Sequence, residues 1–308
     1  MTAGVKRWGW SPRIAVAVHR FAMTVMTPVT LLTSKVALPY RANRMLIDSH
    51  CHFDFAPFCD DPEHYLALAR QAGVEKIVIP AVGQRNWQVL RDLSVRFPCL
   101  YYGLGLHPFF SAEHDANALQ QLASALAAEA VLREKSVSRC VAVGECGLDF
   151  AIVNADRDQQ ISLLAAQLQL ANRFELPVIL HCRKAFPELF GVLRQNRPIA
   201  GGVYHGFSGS HQQAKQLIDL GIKIGVGGTI TYRRANKTRN TIAALPLDAL
   251  LLETDAPDMP VAGFQGEPNR PDRLVNVLGE LAAIRTESEQ EIKQVISLTT
   301  AELFRIPM

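Results

Sequence analysis

The sequence predicts a (β/α)8 barrel, a fold in which eight parallel strands alternate with helices. Short runs of β-branched and other apolar residues recur eight times along the chain. Longer stretches with apolar residues at helical spacing separate these runs, as in residues 159–171. Eight such units in about 260 residues match the usual size of this barrel. An open doubly wound sheet is the alternative, because a strand count does not distinguish a closed sheet from an open one.

Five of the eight predicted strands end in His, Glu or Asp. The strands are, in chain order, Met45–His50, Lys76–Ala81, Leu100–Leu106, Arg139–Glu145, Leu176–His181, Gly201–His205, Ile222–Gly227 and Leu250–Asp255. In a (β/α)8 barrel the functional groups gather at the carboxyl ends of the strands. We therefore expect these polar side chains to converge on one site.

Residues 1–44 precede the first predicted strand and differ from the rest in charge. They hold seven of the 32 basic residues and none of the 29 acidic ones, so residues 45–308 carry a net charge of −4. We exclude them from the fold and favour a start of translation at Met45, although the Arg-rich beginning and the apolar stretch 21–32 also suit a targeting segment. The body from 45 to 308 has no overall basic character, so any nucleic-acid binding must be local.

The composition predicts a single soluble catalytic domain in the cytoplasm. Apolar residues make up 48% of the chain, and no uninterrupted apolar stretch reaches the roughly 20 residues of a spanning helix. The six cysteines contain no CxxC pair and are typical of a reducing compartment; they are Cys51, Cys59, Cys99, Cys140, Cys146 and Cys182. We expect neither a membrane anchor nor an obligate protein partner.

The first strand ends in two histidines that suit a metal ion. His50 and His52 are two residues apart, so on a strand they share a face and can bind one ion together. A lone H-x-H often occurs without a metal. The metal site is predicted here because other strands also end in His, Glu or Asp. The neighbouring Cys51 and, at the fifth strand, Cys182 are expected to point to the opposite faces from the ligands.

The fourth, fifth, sixth and eighth strands supply further candidate ligands. Glu145 follows an apolar strand and lies between Gly144 and Gly147, so backbone can come close to an ion that the carboxylate bridges to a second one. A buried carboxylate without a partner would be costly. His181 and His205 end consecutive strands and suit the second ion, and Asp255 completes the first.

Five motifs in the same order resemble the TatD family of metal-dependent deoxyribonucleases. They are Asp48-Ser49-His50-Cys51-His52, Gly144-Glu145-Cys146-Gly147-Leu148-Asp149, Leu180-His181-Cys182-Arg183, His205-Gly206-Phe207-Ser208-Gly209 and Glu253-Thr254-Asp255-Ala256-Pro257. The resemblance runs from Met45 to the C-terminus. Residues 225–232 and 257–260 are most similar to the YjjV-type branch of the family.

The resemblance implies two divalent ions per subunit, either Mg, Mn or Zn, and hydrolysis of ester bonds. It places His50, His52 and Asp255 on one ion, His181 and His205 on the other, and Glu145 on both. It implies a deoxyribonuclease that cuts phosphodiester bonds of single-stranded DNA from the 3′ end, with Glu145 and Asp255 catalytic and Asp255 accepting a proton from the attacking water. The chain departs from the family pattern at Cys146 and Gly206, neither of which is a ligand.

Loops at the same rim supply candidate substrate contacts. Arginine binds phosphate with a planar fork, and aromatic rings stack on unpaired bases. We expect phosphate or base contacts from Arg183, Lys184, Tyr232, Arg233, Arg234, Lys237, Asn269 and Arg270, and stacking from Phe109, Phe110 and Phe207. His107, at the end of the third strand, is expected either to touch substrate or to support a ligand.

Two other functions compete with a nuclease. The same barrel and H-x-H start also serve hydrolases of small cyclic amides, lactones or aminoacyl esters, and many of these bridge their metals with a modified Lys. No Lys ends a predicted strand here, which favours Glu145 as the bridge and a nucleic acid or small phosphoester as the substrate. A protein that holds metal and nucleic acid without catalysis would not require a bridging Glu.

Overall fold

The computed structural model describes residues 45–308, which form the predicted alternation of strands and helices; the expectation for residues 1–44 lies outside the described residues. The strands are β1 Leu46–Asp48, β2 Val74–Ile79, β3 Leu100–Leu104, β4 Cys140–Asp149, β5 Val178–Arg183, β6 Gly202–Tyr204, β7 Ile222–Val226 and β8 Leu250–Leu252. The helices are α1 Pro62–Gln71, α2 Gln84–Arg96, α3 Ala118–Glu134, α4 Arg157–Arg173, α5 Phe186–Gln195, α6 His211–Asp219, α7 Asn236–Ala244, α8 Leu274–Ile284 and α9 Glu289–Phe304. Short 3-10 turns cover Pro108–Glu113, Gly228–Thr231, Leu247–Ala249 and Pro271–Arg273.

The eight strands form one parallel sheet that closes on itself. Each strand pairs with its neighbour in chain order from β1 to β8. β8 is joined to β1 just beyond the regular strands. There the Asp255 N–H donates to the carbonyl of His50 at 2.8 Å, and Cys51 forms a parallel β-bridge with Ala256. The (β/α)8 prediction is confirmed and the open doubly wound alternative is excluded, because an open sheet has two unpaired edges.

The strands end at different heights around the mouth of the barrel. β4 continues to Asp149, four residues past Glu145. In contrast β1, β6 and β8 are three residues long and end before His50, His205 and Asp255, respectively. These three ligand candidates therefore lie just beyond the regular strands, although the N–H groups of His205 and Asp255 still donate to the carbonyls of Leu180 and His50. The predicted strands were too long there by these last residues.

The spacing of apolar residues determines which face of a helix packs on the barrel, as α4 shows. The sequence predicts a helix over residues 159–171, and α4 spans Arg157–Arg173. Asp156 caps its start by accepting from the Gln159 N–H at 2.9 Å. Leu164, Leu168 and Ala171 are spaced four and three residues apart and are buried against the barrel.

The C-terminal segment closes the end of the barrel opposite the ligand candidates. Phe304 and Ile306 are buried in a cluster with Tyr101 and Val141, which lie at the amino ends of β3 and β4. Burial of a Phe side chain stabilises a fold by about 1.5–3 kcal/mol. The amino ends of the strands are therefore covered by apolar residues, and the polar ligand candidates lie at the carboxyl ends. Among residues 45–308 no helix is long and apolar enough to cross a membrane, and all six cysteines are free thiols.

Candidate metal centre

All six predicted ligand side chains meet at the carboxyl end of the barrel, with Glu145 in the middle. One carboxylate oxygen of Glu145, Oε2, lies 3.3 Å from His50 Nε2 and 3.8 Å from His52 Nε2. The other oxygen, Oε1, lies 3.1 Å from His181 Nδ1 and 2.8 Å from His205 Nε2. The two oxygens of one carboxylate thus face two separate sets of imidazoles.

Asp255 lies on the side of the first two histidines. Its Oδ1 is 3.3 Å from His50 Nε2 and 3.8 Å from His52 Nε2. The ligand atoms of His50, His52 and Asp255 all lie within 4.8 Å of one another, as do those of His50, Glu145 and His205. Each set has the size of a first coordination sphere.

Buried atoms in the centre show that these residues fit a cation. His50 Nε2 and Glu145 Oε2 are buried, and neither has a hydrogen-bond partner within residues 45–308. Leaving such polar atoms unpaired in a fold is costly. Neutral imidazole nitrogens and carboxylate oxygens are the ligand atoms that Zn, Mn and related divalent ions take.

The charges of the centre are coupled through Glu145. Burial acts to raise the pKa of the Glu145 carboxyl, but His205, His107 and His50 together lower that pKa well below its usual value. Burial acts to lower the pKa of His205, yet the charge and hydrogen bond of Glu145 outweigh it and raise the pKa to about 10. Burial and the neighbouring His50 lower the pKa of His52 to about 4. Glu145 is therefore anionic, and His205 and His52 differ in how readily they give up a proton.

Asp149 holds His181 in place, a role that the sequence analysis did not assign. His181 Nε2 lies 3.2 Å from Asp149 Oδ2 while its Nδ1 faces Glu145. A carboxylate on the far nitrogen fixes the tautomer and the orientation of a ligating imidazole. The available signal was the position of Asp149, four residues after Glu145 on the same strand.

Two further buried carboxylates support the backbone beside the ligands. Asp48 accepts from the N–H of His50 at 3.2 Å and from the Thr254 hydroxyl at 2.6 Å, which ties β1 to the segment that carries Asp255. Burial raises the pKa of Asp48 to about 7 although the bonds from Thr254 oppose this shift. Glu253 accepts from the N–H of Gly206, next to His205.

His107, predicted as a substrate contact or a supporting residue, lies against Glu145. Its Nε2 is 3.2 Å from Glu145 Oε1, and its Nδ1 accepts from the Phe109 N–H at 3.0 Å. Because Nδ1 is an acceptor, the neutral ring carries its hydrogen on Nε2. Burial lowers the pKa of His107, which favours this neutral form. His107 therefore donates to Glu145.

A cavity of about 230 Å³ opens onto the centre. Of the predicted substrate contacts, His107, Arg183, Phe109 and Phe110 line it. The sequence analysis missed Phe55, Val82 and Asp258, which also line it, because only the folded loops bring them to the mouth.

Other predicted substrate contacts do not line this cavity. Tyr232 lines a separate cavity, and Arg270 pairs with Asp272 through two hydrogen bonds of 3.0 and 2.9 Å. Phe207 is buried in the core against Tyr204, and the Asn269 amide donates to two backbone carbonyls beneath the rim. For Phe207 and Asn269 the predicted contact with substrate is wrong, because both side chains are enclosed by protein.

Comparisons with known proteins agree with this geometry. The sequence model described as "TatD related DNase" matches residues 47–305. The chain is 48% identical over 261 residues to the uncharacterised metal-dependent hydrolase YjjV of Escherichia coli K12, which covers 85% of this chain and 98% of that protein. It is 44% identical over 264 residues to an uncharacterised metal-dependent hydrolase of Haemophilus influenzae, covering 83% and 98%.

A more distant relative and a crystal structure complete the comparison. A protein of a Pantoea species named 3′-5′ ssDNA/RNA exonuclease TatD is 32% identical over 256 residues, covering 81% of this chain and 95% of that protein. The crystal structure of E. coli YjjV superposes with a TM-score of 0.81 at 48% identity, over 86% of this chain and all of that one. The resemblance drawn from the motifs, including that to the YjjV-type branch, is confirmed. This chain is a metal-dependent hydrolase and belongs to the TatD family.

Proposed function

We propose that this protein is a deoxyribonuclease that hydrolyses single-stranded DNA from the 3′ end. The observation that carries the proposal is the placement of Glu145, whose two oxygens face different imidazole sets at 3.3–3.8 Å and at 2.8–3.1 Å. A carboxylate in this position suits a pair of ions, and paired ions are common in enzymes that cleave phosphodiesters. The Pantoea relative that carries the name of a 3′-5′ exonuclease supports the same substrate class.

We propose the same ligand assignment as the sequence analysis. His50, His52 and Asp255, whose ligand atoms form one cluster, would hold one divalent ion. His181 and His205, which both face Oε1 of Glu145, would hold the other, and Glu145 would bridge them. Two such ions, as Mg, Mn or Zn, supply charge that polarises the phosphodiester and lowers the pKa of a water.

The protein side chains then orient and neutralise the substrate. Asp255 lines the cavity and accepts a proton from the attacking water. Arg183, exposed at the mouth of the same cavity, binds a phosphate oxygen, and Phe109 and Phe110 pack against the base of the terminal nucleotide. His107 keeps Glu145 in place through its Nε2–H.

The decisive experiment uses single-stranded DNA labelled at its 3′ end. The full chain is incubated with Mg, Mn or Zn, beside Glu145→Ala and the control Glu113→Ala, which removes an exposed rim carboxylate. We expect metal-dependent release of 3′ mononucleotides by the native protein and the control, and none by Glu145→Ala. Metal-loaded native protein that releases no nucleotide would contradict the proposal.

One observation favours a second candidate, a hydrolase of small esters, lactones or cyclic amides. The cavity holds about 230 Å³, its walls include Phe55, Phe109 and Phe110, and Arg183 is the single Lys or Arg among its lining residues. Such a site also suits a compact substrate of low charge. Cleavage of an aryl ester or lactone panel by a protein that leaves DNA intact would establish this candidate instead.

A further inference from the structure

A second cavity lies beside the metal centre at the same end of the barrel. It has a volume of about 280 Å³ and is lined by Thr229, Tyr232, Arg234, Ala235, Met259 and Pro260. Asp258 lines the cavity of the metal centre, and the next residue, Met259, lines the second cavity. The two cavities therefore flank one loop segment.

The segment from β7 to the end of α7 gives this second cavity a positive charge. No acidic residue occurs between Asp219 and Asp248, while five Lys and Arg residues do. Two of the five are engaged within the protein: Lys223 donates to the carbonyl of Asp248, and Arg239 pairs with Glu280.

The three other cations, two in the loop between β7 and α7 and one in the first turn of α7, face solvent. Arg233, Arg234 and Lys237 are exposed and form no ion pair or side-chain hydrogen bond with the residues from 45 to 308. Residues 45–308 carry a net charge of −4, so this local excess of positive charge is opposite in sign to the net charge of the described residues. Exposed cations close to a cavity raise the local concentration of anionic ligands.

Tyr232 adds a fixed aromatic surface to the charge. Its hydroxyl donates to the Pro260 carbonyl at 2.7 Å, which ties the ring to the loop that separates the two cavities. The Arg234 guanidinium lies 5.2 Å from the centre of this ring. A positively charged groove beside an aromatic ring is the combination that binds single-stranded nucleic acid, since the cations hold phosphates and the ring stacks on an unpaired base.

We propose that the second cavity binds the nucleotide on the 5′ side of the cleaved bond, next to the terminal nucleotide at the metal centre. Tyr232 stacks on the base of that nucleotide, and Arg233, Arg234 and Lys237 bind phosphates of the strand beyond it. The substrate is then a single strand of at least two nucleotides, because a paired base cannot stack on Tyr232. This inference rests on the proposed nuclease function of the metal centre.

The test compares a polymer with a small diester. The full chain is assayed on an oligothymidylate of eight nucleotides and on bis(p-nitrophenyl) phosphate, in the native form and with Arg233→Gln, Arg234→Gln and Lys237→Gln combined. Arg194→Gln, at the far end of α5, is the matched control. We expect the combined variant to raise KM for the octamer at least about tenfold more than KM for the small diester, because the octamer loses three charge-assisted phosphate contacts that the small diester does not make.

Salt dependence and a conservative variant give independent readouts. Each phosphate contact to a single strand adds about 0.7 to the slope of log affinity against log salt, so loss of three contacts should reduce that slope by about two. Tyr232→Leu should raise KM for the octamer, whereas Tyr232→Phe, which keeps the ring, should retain most of the affinity.

The outcomes separate this inference from the proposed function. An unchanged octamer KM and salt slope in the combined variant, or an equal loss on both substrates, would overturn the role of the second cavity while the nuclease function stands. A native protein that cleaves neither substrate with any of the three metals would overturn the proposed function, and the inference with it.

Discussion

At the scale of single residues, the metal centre depends on the direction in which each imidazole presents its nitrogens. His181 faces Glu145 with Nδ1 and Asp149 with Nε2, at 3.1 and 3.2 Å. His107 accepts from the Phe109 N–H, so that its Nε2–H points at Glu145. These neighbours decide which nitrogens are free to bind a cation. The ligand set is thus defined by hydrogen bonds as well as by residue type.

Replacement of Asp149 tests this orientation. We expect Asp149→Asn to weaken divalent metal binding by about 10–100-fold, because a neutral amide holds the imidazole less firmly than the carboxylate and does not raise its basicity in the same way. Metal affinity is measured by titration calorimetry, with circular dichroism to confirm that the fold is intact. Asp60→Asn, an exposed change away from the cavity, should leave metal affinity unaltered. Equal metal affinity of Asp149→Asn and native protein would show that Asp149 does not position His181.

Metal binding is expected to release a proton from His205. The pKa of this residue is raised from its ordinary 6.5 to about 10 in the metal-free protein, so at pH 7.5 the ring is protonated. A divalent ion needs the neutral ring, and its affinity should therefore rise with pH.

Calorimetry in buffers of different ionisation enthalpy measures this release. We expect at least one proton per protein at pH 7.5, and metal uptake without proton release would contradict the assignment. The raised pKa of His205 also adds to the free energy of unfolding. This contribution is fully present below pH 6.5 and is lost as the pH rises through about 10.

Asp255 is expected to serve both as a ligand and as a base. Loss of a general base typically reduces the rate by about 10²–10⁴-fold. We expect a decrease of this size in kcat for Asp255→Asn on single-stranded DNA, with metal content followed by mass spectrometry. Near-native kcat in a variant that still carries its metal would show that another group accepts the proton.

At the scale of secondary-structure elements, the site depends on how closely β4 and β5 approach. Gly147 lies in β4 with a φ of +153°, beside His181 of β5. A Cβ atom at Gly147 would lie 1.9 Å from the carbonyl oxygen of His181. The close contact between the two strands therefore requires a glycine at position 147, two residues after Glu145. The same contact sets the position of His181 relative to Glu145.

Two glycine substitutions test this contact. We expect Gly147→Ala to lower the free energy of unfolding by at least about 3 kcal/mol or to prevent folding, because both the backbone conformation and the carbonyl contact oppose a side chain. Gly191→Ala is the matched control, since Gly191 lies within α5 with open space around it. It should stabilise the protein by about 0.5–1 kcal/mol through helix propensity. Thermal unfolding distinguishes the two, and similar melting temperatures would contradict the close approach.

At the scale of the whole molecule, the described residues contain both the closed sheet and the complete candidate site. The sheet closes between β8 and β1, and the family match spans residues 47–305. The net positive charge of the chain comes from residues 1–44, whereas Arg233, Arg234 and Lys237 form a local cationic region beside the second cavity.

Removal of residues 1–44 tests the predicted domain boundary. We expect a protein from Met45 to Met308 to match the full chain in melting temperature, metal content and hydrolysis of single-stranded DNA, since it retains every strand of the described residues and all six ligand candidates. A truncated protein that aggregates or loses its metal would show that the extension belongs to the fold.

The sequence by itself determined the barrel and the six candidate ligands. Strand ends of a parallel barrel converge at one end, so a His, Glu or Asp at the end of an apolar run can be placed in space without knowledge of distant contacts. This reasoning works for His50 and His205 because each closely follows its own strand, and for Glu145 because it lies within β4.

Only the tertiary structure decided which loop residues face the site. Phe55 and Asp258 line the cavity, Arg270 pairs with Asp272, and Phe207 is buried in the core. The direction of a loop side chain depends on hydrogen bonds and packing with residues far away in sequence, as with Asn269 beneath the rim. The pairing of Asp149 with His181, 32 residues apart, likewise exists only once β4 and β5 lie side by side.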